Sequence, residues 1–443
     1  MSVTASTIEA LSDSEHRKQL RRAVVASTIG STIEAYDFLL YSTVTGIVFA
    51  KLYFPASDPL IGTLQAYVIF FLGFVARPVG AAIFGHYGDR IGRKYTLIVT
   101  LLLTGLATFA VGLVPTYDQI GIWGAIILMV LRTIQGIGLG GEWSGAVLLA
   151  MEWARTDSNR GFLASWPQFS APAGLALANL ALLGFSAMSG DQFLAWGWRI
   201  PFLLSIVMIG IGLYVRLGIL ETPVFAKLLA EERVARAPVA EVFRRQPKEI
   251  ALTAFSRMAE QAPGYIYGAF IFTYGANVLG TSRDLLLSAL LTASVLGFIW
   301  APIAGYLSDK IGRRRMYMIG AAYSGLYGFA YFALLNTMSP TLIFLAVALS
   351  LLPIMTLYGP QAALIAESFA PRLRYSGAGL GFHLASIIAG GPAPFIATAL
   401  LAAYGSGYAI ACYIMVCGII SIIATSFLKD HTNKDLMQAY ENI

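Results

Sequence analysis

Long apolar stretches alternate with short polar ones along nearly the whole chain. Twelve of them reach the roughly 20 residues that a helix needs to cross a bilayer. They are 23–50, 60–84, 95–114, 121–150, 160–188, 196–218, 251–276, 285–307, 316–336, 341–366, 375–402 and 407–428. Several run longer, which tilting accommodates. The longest polar interval between them, 219–250, follows the sixth stretch and holds Pro223, Pro238 and Pro247 among mixed charges. The pattern predicts an N-terminal tail (1–22), a six-helix bundle (23–218), a linker with one or two short surface helices (219–250), a second six-helix bundle (251–428) and a tail (429–443). The N-terminal stretch lacks a short apolar core followed by a small-residue cleavage site, so no removable signal peptide is expected.

Composition excludes a soluble fold. Hydrophobic residues make up 57% of the chain and charged ones only 12%, against roughly 25% charged in an average soluble domain. The expected fold class is an all-α membrane protein with twelve transmembrane helices in two pseudo-symmetric bundles. The net charge of +6 matters through its placement, and no polar domain is present to carry a nucleic-acid partner.

The basic residues are strongly segregated. One side of the predicted bilayer receives Arg17, Lys18, Arg21, Arg22, Arg90, Arg93, Lys94, Arg155, Arg160, Lys227, Arg233, Arg236, Arg244, Arg245 and Lys248. It also receives Lys310, Arg313, Arg314, Arg315, Arg372, Arg374, Lys429 and Lys434. The other side holds Lys51, Arg283 and Arg199. Cytoplasmic loops retain Lys and Arg, so both termini are expected in the cytoplasm.

One motif occurs twice. Gly85-His-Tyr-Gly-Asp89-Arg90-Ile-Gly92-Arg93-Lys94 returns as Gly305-Tyr-Leu-Ser-Asp309-Lys310-Ile-Gly312-Arg313-Arg314, 220 residues later. Each copy joins two apolar segments, the arrangement expected of a transporter built from two related halves. No Walker loop, no Gly-x-Ser-x-Gly elbow and no His/Cys cluster is present. Cys412 and Cys417, five apart on one predicted helix, suit neither a disulfide nor a metal pair. No enzymatic activity, cofactor or metal is expected, and transport energy must come from a gradient.

The repeated loop resembles the signature of the major facilitator superfamily. Further segments are similar to its metabolite:proton symporter family: Ile33-Glu34-Ala35-Tyr36-Asp37-Phe38, Ala76-Arg77-Pro78-Val79-Gly80, Arg132-Thr133-Ile134-Gln135-Gly136 with Gly140-Gly141-Glu142, Trp198-Arg199-Ile200-Pro201-Phe202-Leu203, Glu221-Thr222-Pro223 and Arg374-Tyr375-Ser376-Gly377. The resemblance runs from about residue 20 to 428. It implies the twelve-helix major facilitator fold and proton-coupled import of a small organic anion, such as a mono- or dicarboxylate or a shikimate-like acid. It also implies a bacterial inner membrane setting and a monomer in the bilayer. Two alternatives are a betaine or proline symporter and a drug:proton antiporter. Ala35 stands where the family usually carries a large aromatic, and His383 where it usually carries a neutral residue.

Charged residues inside predicted spans mark the candidate chemistry, because each costs at least about 2.5–3.5 kcal/mol at a helix centre unless it faces a cavity or a partner. Glu34 and Asp37 lie three apart on one helix face. Two carboxyls cannot both ionise cheaply there, so one can carry a proton; Asp37 is the first choice for proton coupling, with Glu34 and Glu260 beside it. A fixed ion pair is the bland reading. Arg132, Arg77 and Arg257 are candidate ligands for a substrate carboxylate. Arg257 and Glu260, one turn apart, suggest that protonation of the acid frees the arginine for substrate. Tyr41, Gln168 and His383 complete the candidate substrate set, although a lone His on a Gly-rich helix is as readily structural. Asp89, Arg90, Gly92, Arg93, Asp309 and Arg313 form the expected latch of the repeated loops, with Glu142 and Glu367 as further gating residues.

Overall fold

The computed structural model describes residues 12–57, 59–154, 159–231 and 236–434. Arg155, Arg233 and parts of both predicted tails (1–11 and 435–443) lie outside the described residues. Those described are helical with short connections, and ten helical stretches among them are long and apolar enough to cross a membrane. The first and seventh predicted segments are helical as well but carry Glu34, Asp37, Arg257 and Glu260, which lowers their apolar content.

The chain packs as two compact units. The first comprises residues 1–153 and 173–238. It contains α1 (Asp13–Val44), α2 (Pro59–Ile91), α3 (Arg93–Leu113) and α4 (Trp123–Met151). Helix α1 opens on a capping box in which Ser12 and Glu15 satisfy each other's backbone N–H groups. It runs through a π-helical turn at Thr45–Phe49. Helix α4 packs closely on α2 and α3. A Cβ at Gly140 would lie 2.1 Å from the Arg77 carbonyl oxygen, and one at Gly136 2.4 Å from that of Gly73. Only glycine lets the two backbones meet there.

The predicted segment 160–188 is two helices, α5 (Arg160–Gln168) and α6 (Ser170–Ser189). Pro167 and Pro172 each remove a ladder donor around the break. Residues up to Pro172 pack with the second unit and those from Ala173 with the first. The first unit closes with α7 (Ser205–Leu217) and the linker helix α8 (Pro223–Ala230), whose N-cap Thr222 accepts from Phe225 N.

The second unit comprises residues 154–172 and 239–443. Its principal helices are α9 (Pro238–Arg245), α10 (Pro247–Ser256), α11 (Met258–Tyr265), α12 (Arg283–Ile311), α13 (Arg313–Leu335), α14 (Pro340–Leu349), α15 (Leu351–Glu367), α16 (Arg374–Ala385), α17 (Ala393–Tyr404) and α18 (Gly407–Ser426). Here α13 packs on α18, and α15 on α12. Three π-helical turns, Ile266–Phe270, Gly275–Leu279 and Ser386–Gly390, interrupt the spans. Such turns are frequent at functional sites.

The repeated loops end a helix in each unit in the same way. Gly92 separates α2 from α3 at φ 114°, and Gly312 separates α12 from α13 at φ 98°. Side chains other than glycine rarely enter that region.

Candidate functional site

In the first unit, two arginines share a nest of aromatic rings. The guanidinium carbon of Arg132 on α4 stands 4.4, 4.3 and 4.7 Å from the ring centroids of Phe38, Tyr41 and Phe70. That of Arg77 on α2 stands 4.1 and 4.7 Å from Phe38 and Phe74. Helix spacing builds the nest, because Phe38 and Tyr41 lie three apart on α1 and Phe70, Phe74 and Arg77 follow one face of α2. The π faces offset part of the cost of burying the cations. Gly73 clears room for Arg132, since a Cβ there would lie 2.6 Å from its Nε.

A glutamine ties this nest to the backbone of Asp37, the candidate coupling residue. Arg132 donates through Nη1 to the Gln135 side-chain oxygen. The Gln135 amide donates to Thr108 Oγ1 at 2.7 Å and lies 3.5 Å from the carbonyl oxygen of Asp37. The Asp37 carboxylate in turn accepts from Ser205 Oγ at 2.7 Å. Asp37, Arg132 and Gln135 are all buried.

The sequence sets Glu34 with Asp37 and places Glu142 apart, at a gate. The structure groups them differently. Glu34 turns to Arg216, its Oε1 standing 3.7 Å from the guanidinium. Glu142 forms an ion pair with the same nitrogen, and Arg216 also donates to the Leu97 carbonyl. Thr100 donates to Glu142 at 3.2 Å. Two carboxylates thus share one buried arginine that the sequence reading leaves unassigned.

The second unit holds the other buried pair. Arg257 and Glu260 form an ion pair, and the arginine also donates to the Phe382 carbonyl. The guanidinium carbon sits 3.3 Å from the centroid of the Phe382 ring. Gln261 Nε2 donates to Glu260 at 2.7 Å. His383 is buried on α16 beside Phe382, with ring centroids 5.0 Å apart. Gln168 on α5 donates to the Tyr358 carbonyl and to Gln361 Oε1, each at 3.3 Å, and Gln361 reaches Tyr317 Oη at 3.0 Å.

The repeated loops build one constellation twice. In the first copy, Arg93 is within 3.6 Å of both Asp89 and Glu152 and donates to the Gly88 carbonyl at 2.8 Å. In the second, Arg313 pairs with Asp309 at 3.1 Å and Glu367 at 3.0 Å. The residue after each of these arginines caps a helix end: Lys94 donates to the carbonyls of Leu217 and Ile219, and Arg314 to those of Ser426 and Leu428. Each copy also takes an acid from beyond its unit's last span. Glu221 accepts from Lys94 N at 3.2 Å beside Gly92, and Asp430 approaches Gly312. Burial pushes the Glu221 carboxyl above its usual range, whereas hydrogen bonds from Thr432 hold that of Asp430 below it against the effect of burial. In the second copy Asp309 further accepts the N–H groups of Gly161 and Phe162, both at 2.8 Å, at the start of α5. A carboxylate suits the positive end of a helix. Arg160 pairs with Glu367 at 3.2 Å and donates to the Lys434 carbonyl at 2.7 Å. Arg90 is exposed and contacts His86 at 3.1 Å.

Glu152, Glu221, Arg216 and Gln135 escaped the sequence reading as site residues. Signals existed for some. Glu152 and Glu367 both end a span after a run of small and apolar residues, and Gln135 lies within the quoted Arg132 motif. Among the described residues no group of three or more His, Cys, Asp or Glu side chains is placed to hold a metal.

Comparison with known proteins adds the following. The sequence model of the Major Facilitator Superfamily matches residues 28–394. The chain is 38% identical to the inner membrane metabolite transport protein YhjE of Escherichia coli K12, covering 98% of this chain and all of that protein. It is 37% identical to the shikimate transporter of the same organism over 93% of this chain and 94% of the relative. It is also 31% identical to the E. coli K12 proline/betaine transporter over 95% and 86%. Its fold matches that of the proton:xylose symporter XylE bound to 6-bromo-6-deoxy-D-glucose with a TM-score of 0.77 at 16% identity, covering 95% of this chain and 98% of the other.

Proposed function

The chain belongs to the Major Facilitator Superfamily, and from that membership we propose that it imports a small organic anion together with protons across a bacterial inner membrane. It is a secondary transporter of twelve-helix architecture and not an enzyme. The substrate is a mono- or dicarboxylate, or a cyclic hydroxy acid of the shikimate kind. Both termini lie in the cytoplasm, the working unit is a monomer, and the linker 219–250 separates the two six-helix halves along the chain.

One observation carries the reading: Gln135 bonds Arg132, the candidate anion ligand, and reaches the backbone of Asp37, the candidate proton carrier. Substrate charge arriving at Arg132 therefore repositions a group that bears on Asp37. The aromatic nest speaks for an anion over a zwitterionic betaine, because Arg77 and Arg132 already occupy the π faces that a quaternary ammonium would use. Arg257 with Glu260 supplies a second anion site in the other unit, opened when Glu260 takes a proton, with Gln168 and His383 as neutral contacts. Asp89–Arg93–Glu152 and Asp309–Arg313–Glu367 serve as latches that part when the transporter changes state, and Arg90 and Gly92 shape the first loop.

The test is proton entry into proteoliposomes on addition of shikimate, dicarboxylates, tricarboxylates, aromatic acids or betaine. Proton entry with an organic acid, and none with betaine, is the expected result. Proton entry with betaine alone overturns the anion reading, and substrate flux without proton movement overturns symport.

A further inference from the structure

Ser14, Arg17, Lys18, Arg21, Arg22 and Val25 recur at intervals of three and four along α1, so they form a single helix face. That face is one wall of a groove of about 650 Å³. The other wall is Tyr214 and Val215 on α7, with Gly218 and Ile219 just beyond it. Lys94 fixes the chain at the end of α7 by donating to the carbonyls of Leu217 and Ile219 at 3.0 and 2.7 Å.

The cations of this groove outnumber the acids beside them: Asp13 and Glu15 stand next to four basic residues, and Glu15 is drawn to Lys18. All four basic side chains are exposed. Among the described residues none of them makes an ion pair, and Arg17 Nε donates to the Asp13 carbonyl at 3.3 Å. Glu15 is engaged by the Ser12 cap. The apolar side of the groove is exposed as well: Tyr214 is 83% accessible and Val25 51%. These residues stand where the polar first turns of α1 give way to the apolar spans, the depth at which Tyr and basic residues meet lipid headgroups.

We propose that the groove between the first turns of α1 and the end of α7 binds the headgroup of an anionic phospholipid, with Arg17, Lys18, Arg21 and Arg22 on the phosphate and Val25, Tyr214 and Val215 against the acyl chains. Orientation signalling explains basic residues on this side of the membrane but asks only for their number. It does not require them on one helix face opposite an exposed tyrosine. The acyl contacts separate a lipid from a free phosphate, which would use the cations alone.

The test uses the full chain purified in detergent, with lipid retention read by native mass spectrometry. Phosphatidylglycerol, phosphatidylcholine and soluble glycerol phosphate are titrated in turn. Phosphatidylglycerol is expected to bind and the other two are not. The double variant Arg21→Gln/Arg22→Gln is expected to weaken phosphatidylglycerol binding about tenfold or more, whereas the charge-matched double variant Arg244→Gln/Arg245→Gln leaves it unchanged. A second variant, Tyr214→Ser, leaves the charge intact and is expected to shorten lipid retention through the apolar wall alone. Equal binding of phosphatidylcholine, equal binding of glycerol phosphate, or wild-type retention in Arg21→Gln/Arg22→Gln each overturns the proposal. Transport can fail in every one of these samples without bearing on it, because the readout is lipid retention.

Discussion

At the scale of single residues, the buried charges separate into groups with different work. Arg132 is buried among rings and a neutral amide, so its removal should cost affinity. Arg132→Ala is expected to lower substrate binding by about tenfold or more, the loss of one charge-assisted hydrogen bond. Isothermal titration or substrate-induced thermal shift checks it, and unchanged affinity returns Arg132 to a packing role. Asp37→Asn keeps the acceptor for Ser205 but cannot carry a proton. Gradient-driven accumulation should disappear while substrate exchange persists, measured by counterflow in proteoliposomes. Arg216 is different, because it compensates Glu34 and Glu142 at once. Arg216→Met strands two buried acids, a change of about 3–5 kcal/mol, unless they take up protons. Adding Glu142→Gln should restore much of the lost thermal stability, and no rescue would show that Arg216 acts through packing.

Among elements, the close approaches and the loops decide what can move. Helices α2 and α4 touch backbone to backbone at Gly140. Gly140→Ala should destabilise by about 1–3 kcal/mol through forced backbone displacement, visible as a lower unfolding temperature in detergent. The C-terminal segment after α18 is tied to the second repeated loop: Thr432 accepts from Arg313 N at 3.0 Å, and Asn433 donates to the Asp309 carbonyl at 3.4 Å. His431 immediately precedes Thr432, and burial, with Lys434 and Lys429 adding to it, lowers its pKa from 6.5 to about 4. A His held neutral in the folded state favours proton uptake by the released state, so attachment is full above about pH 6.5 and weakens as pH falls toward 4. The protection factors of amides across 428–434, taken relative to the intrinsic exchange rate at each pH, should fall between pH 7 and pH 5, and His431→Gln should flatten that dependence.

At the scale of the whole molecule, the duplication reaches further than the ten residues that display it. Each unit repeats the same circuit of a loop carboxylate, an arginine four residues on, a glutamate at the end of a later span, and an acid beyond its last span. The sequence shows the loops because their residues are contiguous. It hides the rest because Glu152 and Glu221 lie about 60 and 130 residues from Arg93 and meet it only through packing. The same holds for the candidate site. Arg257 with Glu260 was legible, being one turn of one helix. The sharing of Arg216 by Glu34 and Glu142 was not, since it joins three helices, whereas spacing along α1 shows only that Glu34 and Asp37 share a face.

The sequence by itself determined that this chain is a helical protein of the bilayer and to which family it belongs. Those properties follow from runs of apolar residues, glycines at loop positions and contiguous motifs, all local features that water and lipid read directly. Only the tertiary structure decided which charges compensate one another, because a buried ion in a low-dielectric interior is stable only beside its partner and that partner comes from another helix. It also decided that the span expected at 160–188 is two helices assigned to different units, since the division depends on what each packs against. The basic face of α1 shows both sources at once: its spacing is written in the sequence, and the groove it lines exists only because α7 ends beside it.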